Sequence, residues 1–85
     1  MVNFVDHFAD TKSYDLSIMH NIGFADYEKE DVGSVPVNME GNYLSVGNQL
    51  FSEEDLIEIA EYKRNGRLVK MLTTVTGDLW ILEGE

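Results

Sequence analysis

The chain has 85 residues, six Lys and Arg against sixteen Asp and Glu, a formal net charge of −10, and no cysteine. That length holds one domain, residues 1–85. An apolar fraction of 44% with nine aromatic residues excludes a disordered acidic tail, which needs low hydrophobicity as well as high charge.

The missing thiols exclude disulfides and thiolate metal sites and fit a reducing cytoplasm. The N-terminal run Met1-Val2-Asn3-Phe4-Val5-Asp6-His7 has neither a basic start nor an apolar core, so no secretory signal is read there. No stretch nears the roughly 18 apolar residues of a membrane span. The expectation is a soluble, cytoplasmic protein with neither membrane nor nucleic acid as a direct partner, since the negative charge repels both.

In chain order, Phe4, Val5 and Phe8 fall at i, i+1 and i+4, one face of a short helix. Asp15-Leu-Ser-Ile-Met-His alternates weakly, as a strand does, and residues 26–31 read as a further extended run or a polar loop. Val35–Met39 and Tyr43–Val46 around Glu40-Gly41-Asn42 predict a hairpin, with Pro36 at a sheet edge or at the start of its strand. Gly47-Asn48 turns the chain onward. The spacing then predicts a helix over 52–65: Ser52 as N-cap, Asp55 three residues later, acids in the first turn, Lys63 and Arg64 in the last, and Gly66 as C′. Leu56, Ile59, Ala60 and Lys63 would share its face. Arg67–Val75 and Leu79–Glu83 around Thr76-Gly77-Asp78 predict a second hairpin. The expected fold class is α+β, a small antiparallel sheet with one main helix packed on a face.

Few catalytic patterns survive inspection. Counting a calcium loop from Asp26, the sixth residue is Asp31 rather than Gly and the twelfth is Val37. His7 and His20 stand thirteen apart, with no HxxxH spacing, and the seven glycines are scattered singly, as turns and caps use them. No G-x-S-x-G elbow occurs. No cofactor, no metal and no enzymatic activity are expected.

The charge is the strongest signal. Residues 1–62 carry thirteen acids against Lys12 and Lys29, whereas 63–85 carry Lys63, Arg64, Arg67 and Lys70 against Asp78, Glu83 and Glu85. Ordinary surfaces intersperse both signs. On the expected helix, Glu54, Glu58 and Glu61 would form one exposed stripe at i, i+4, i+7. An extended 26–31 would set Asp26, Glu28 and Glu30 on one side at about 6.6 Å intervals, with Asp31 beside them. Tyr14, Phe24, Tyr27 and Tyr43 flank these segments. Phe24 and Tyr43 read first as core, and Tyr27, with Phe24 as a second candidate, as apolar anchors of an interface. Trp80 reads as core.

Ser17-Ile18-Met19 in an early strand, Met71-Leu72-Thr73-Thr74 in a late one and Trp80 beyond it resemble the uracil-DNA glycosylase inhibitor family. The acidity and size are similar to anti-CRISPR proteins and other small phage inhibitors that imitate DNA. In the glycosylase inhibitors a glutamate precedes the Ser-Ile pair, where this chain has Leu16. The resemblance implies a non-enzymatic inhibitor of a basic nucleic-acid-binding protein, with Ser17 as a strand-edge contact. The alternative is an acidic protein–protein module (immunity protein, antitoxin or adaptor) without mimicry. A homodimer through an exposed hairpin edge is also open.

Overall fold

Strand pairing accounts for nearly every described residue. The computed structural model describes Phe4, His7, Phe8 and residues 12–84. Seven strands, β1 Lys12–Gly23, β2 Asp26–Glu40, β3 Tyr43–Val46, β4 Gln49–Phe51, β5 Leu56–Arg64, β6 Arg67–Thr74 and β7 Leu79–Gly84, form one antiparallel sheet. Their order is β4-β3-β2-β1-β7-β6-β5, and the sheet curls into a half-barrel. Two meanders, β1 to β4 and β5 to β7, meet where β7 pairs with β1 from Tyr14↔Gly84 to Met19↔Leu79. Among the described residues no helix is long and apolar enough to cross a membrane.

The fold is therefore all-β, not α+β, and the expected helix over 52–65 is a strand. Its signals are present but act over one turn. Asp55 accepts the Ser52 backbone N–H at 2.8 Å, and its own N–H reaches the Ser52 carbonyl at 3.1 Å, closing a 3-10 turn over Glu53–Asp55. Beyond it, Leu56–Arg64 pairs with β6. Asn65-Gly66, with φ of +53° and +79°, is the tight turn between Arg64 and Arg67. Positive φ at both central residues is the geometry Asn-Gly favours in a hairpin, and here that use displaces the C′ role.

A bulge explains why the helical pattern looked sound. Leu56 pairs with Thr74 and Glu58 with Thr73, leaving Ile57 as an extra residue. The parity flip puts Leu56 and Ile59 on the same face, three apart, as a helix would. Beyond the bulge, Ile59 and Glu61 face inward, while Glu58, Ala60 and Tyr62 face outward.

The concave face holds the core. Leu16, Ile18, Val37, Leu44, Val46, Phe51, Leu56, Leu72 and Leu82 are buried there, with Tyr14, Phe4 and Phe8. Each fully buried large apolar side chain contributes about 1.5–3 kcal/mol. Phe8 and His7 donate their backbone N–H groups to the Phe4 carbonyl, so Phe4 and Phe8 do sit on one turn; Val5, read with them, lies outside the described residues. Trp80 is half-buried and meets Phe51 edge-on, ring centroids 4.9 Å apart. The two hairpins expected from Gly41-Asn42 and from Thr76-Gly77-Asp78 form as β2–β3 and β6–β7.

Lys70 is the buried cation. It donates to the His7 carbonyl, lies 4.6 Å from the Phe8 ring centroid, and has Glu61 Oε1 at 3.9 Å. Burial pushes its pKa down, and Glu61 partly offsets this. Burial likewise raises the Tyr14 phenol; Lys12 opposes that rise and Glu61 adds to it.

Candidate binding arm on the β1–β2 hairpin

The longest strands make an arm. β7 covers β1 only from Tyr14 to Met19, and β3 covers β2 only from Val37 to Glu40. Residues 20–23 and 26–28 are thus a two-stranded ribbon, and the outer side of β2 from 26 to 36 has no strand partner among the described residues. Pro36 is inside β2, not at its start. It is tolerated because pairing to β3 begins only at Val37, and its carbonyl accepts the Gly47 N–H at 2.9 Å.

A second bulge sets which side chains the arm presents. Leu16 pairs with Gly33 and Ser17 with Asp31, so Val32 is extra, and Gly33 takes φ +97° beside it. On the core side of the bulge, Val35 and Val37 face the concavity. Beyond it, the same face carries Glu30, Glu28 and Asp26, opposite Ile18, His20 and Gly23. The extended reading of 26–31 therefore holds, and these three carboxylates form a row. The His20 Nε2–H donates to Glu30 at 2.8 Å. Tyr27 and Asp31 lie on the opposite face. Asp31 accepts from the Ser17 hydroxyl at 3.2 Å and has Lys29 Nζ at 3.5 Å. Ser17, expected as a strand-edge contact, stands in the interior of the sheet, between β2 and β7.

The other expected row does not exist. A strand repeats every two residues, so Glu58 and Glu61 point to opposite faces, and Glu54 belongs to the 3-10 turn. Glu61 is also engaged internally, by His7 Nδ1 and Lys70. Glu53, Glu54 and Asp55 instead line an open hollow of about 680 Å³ with Asn42, Tyr43 and Ser52. Among the described residues no group of three or more His, Asp or Glu is placed to hold a metal ion. Further self-neutralisation occurs at Arg67, which lies 3.7 Å from Asp15 and 3.8 Å from Glu83, with Arg64 3.6 Å from Glu83. Such exposed pairs contribute about 0–1 kcal/mol each.

The aromatic assignments also change. Phe24 and Tyr43, read first as core, are fully and half exposed, and Tyr14, read as flanking the acidic surface, is buried. Tyr27 is exposed, as an anchor must be. With it on the arm stand Ile22, Phe24 and Val32, four exposed apolar side chains within eleven residues. The missed signal is Ile22-Gly23-Phe24-Ala25. A tip of this composition carries only Gly23 of the residues that usually mark a turn.

Asn21 fastens the base of this tip. Its N–H donates to Asp78 Oδ1 at 2.7 Å, its amide donates to the Thr76 carbonyl at 3.4 Å, and its Oδ1 accepts the Gly23 N–H at 2.9 Å. Comparison with family models, curated proteins and solved structures finds no match to this chain.

Proposed function

We propose that this protein is a non-enzymatic binding protein of the inhibitor type, whose β1–β2 arm offers a row of carboxylates to the cationic groove of a nucleic-acid-binding protein. The observation that carries it is Asp26, Glu28 and Glu30 on one face of an extended strand, with His20 the one titratable residue among their cross-strand partners Gly23, His20 and Ile18. Two-residue steps along a strand space them at about 6.6–6.8 Å. Lysines and arginines that clamp a phosphate backbone accept such a row as a substitute. Tyr27, and Asp31 four residues further along the same opposite face, extend the contact. Glu54 contributes only long-range field, and Glu58 and Glu61 are not part of the surface.

The rival, a protein-binding module without mimicry, draws on the internal pairing of Glu61, Asp15, Glu83 and Asp31. Competition separates the two. Proteins retained from a bacterial lysate on the immobilised chain are eluted with duplex DNA and, separately, with salt. Displacement by DNA, together with an association rate that Glu28→Gln plus Glu30→Gln lowers roughly tenfold at low salt, is the expected result. Retention indifferent to DNA would leave the rival standing.

A further inference from the structure

Among the described residues four hairpins turn in two residues, and three follow one rule. Gly41-Asn42, Gly47-Asn48 and Asn65-Gly66 put glycine or asparagine wherever φ is positive. The fourth, Phe24-Ala25, places φ of +51° and +64° on a phenylalanine and an alanine. For a bulky residue that region is a genuine outlier, and strain of this kind gathers where a binding clamp needs it. Folding alone therefore does not account for these residues.

Nothing in the fold uses the ring either. Phe24 is 103% exposed, more than any other large apolar residue described, and Ile22, the extra residue of a bulge at Asn21/Gly23, is 62% exposed beside it. The tip is nevertheless built firmly. Asn21 binds the turn before β7 through Thr76 and Asp78 and reaches forward to Gly23. A Cβ at Gly77 would stand 2.5 Å from the Asn21 amide nitrogen, so the neighbouring turn leaves room for this tether.

We infer that Phe24 is the anchor of the arm, seated in an apolar pocket of a partner protein whose rim is lined by Lys and Arg. The chemistry of that rim follows from what flanks the ring: Asp26, Glu28 and Glu30 lead away from it on one face and Asp31 on the other, with Lys29 and His20 already paired to Asp31 and Glu30. Phenylalanine held rigid at a tip loses little freedom on docking, which is how one residue comes to dominate an interface. A bilayer is the other apolar acceptor, and the flanking carboxylates oppose an anionic one.

The inference rests on the preceding reading in taking the partner to be a protein with a cationic surface, and the test separates the two. The lysate protein retained at low salt and most enriched over a blank column is purified and titrated with four chains: wild type, Phe24→Ser, Phe24→Asn with Ala25→Gly, and Glu28→Gln with Glu30→Gln. Phe24→Ser should weaken affinity by about 30-fold or more with the salt dependence unchanged. The Asn-Gly chain should melt roughly 10–20 °C higher than wild type yet bind as poorly as Phe24→Ser, so that fold and contact part company.

Phe24→Ser binding within twofold of wild type overturns the anchor, whatever the carboxylate pair does. A carboxylate pair without effect, with Phe24 essential, overturns the cationic rim and the mimicry reading together. Co-sedimentation with phosphatidylcholine vesicles, or self-association in the ultracentrifuge, lost in Phe24→Ser in either case, overturns the choice of partner. Retention of no protein above the blank overturns both readings.

Discussion

The β5–β6 and β1–β2 hairpins share a geometry and differ in what their sequences serve. Both turn in two residues with positive φ. At Asn65-Gly66 the residues match the backbone; at Phe24-Ala25 they oppose it. A left-handed residue other than Gly or Asn costs roughly 1–2 kcal/mol, so the first turn is selected by the fold and the second against it. On the reading proposed above, a mismatch between local preference and local structure marks a loop kept for contact rather than for connection alone.

Exchanging the two turns should break the contrast. Asn65→Phe with Gly66→Ala has open space around Gly66, so its cost is purely conformational, roughly 2–3 kcal/mol. In a domain this small that lowers Tm by roughly 10–20 °C in a calorimetric scan. A melt unchanged within a degree would mean that positive φ carries no penalty here, and that Phe24-Ala25 needs no partner to explain it.

Next in size is Gly77→Ala. It meets φ +90° as well as the Asn21 amide, and should cost about 1–2 kcal/mol. Hydrogen exchange at the Asn21 and Gly23 amides should accelerate more than at Leu72, because the tether loosens before the core does. Asn21→Ala removes the obstruction, so the two substitutions should combine for less than their sum by at least about 0.5 kcal/mol. Strict additivity would show the tether to be idle.

The smallest effect concerns pH and marks the rigid region against which the arm is judged. The lowered Lys70 pKa means that the unfolded chain binds more protons at this site than the native one, from the native pKa up to the ordinary 10.5. Stability from this group therefore rises with pH across that window. Tyr14 acts in the opposite sense above its ordinary 10.0, since its folded pKa is raised. Glu61 and the His7 carbonyl favour the ammonium but burial outweighs Glu61, so Lys70→Met should be more stable than wild type near neutrality. Its advantage should shrink as pH climbs toward 10, read from urea melts at several pH values. A constant difference would show that Lys70 feels no desolvation.

How much of this was legible depended on where parity was regular. The β2–β3 and β6–β7 hairpins were readable because Gly41 and Gly77 interrupt clean apolar runs. β5 was not, because the extra Ile57 re-spaces Leu56 and Ile59 to helical intervals just after a Ser-x-x-Asp start. The two marks against a helix, Asn65-Gly66 and the run of Ile57, Ile59 and Tyr62, were outweighed by charges arranged as a dipole would like them. The row of Asp26, Glu28 and Glu30 was readable, since it needs only an extended backbone. Phe24 was half legible. Its exposure depends on how far β7 and β3 reach along their neighbours, a tertiary fact no local pattern contains.

The short link between β4 and β5 has a mechanical consequence. These strands are the outermost pair of the sheet, yet only Ser52 and the turn Glu53–Asp55 separate them in the chain. Seven strands laid flat would hold them about 29 Å apart, whereas five residue steps reach about 18 Å at most. The peptide thus acts as a drawstring, and the curvature that encloses the core is imposed covalently. Lengthening that string by a few glycines should let the sheet relax outward without altering a single pairing register.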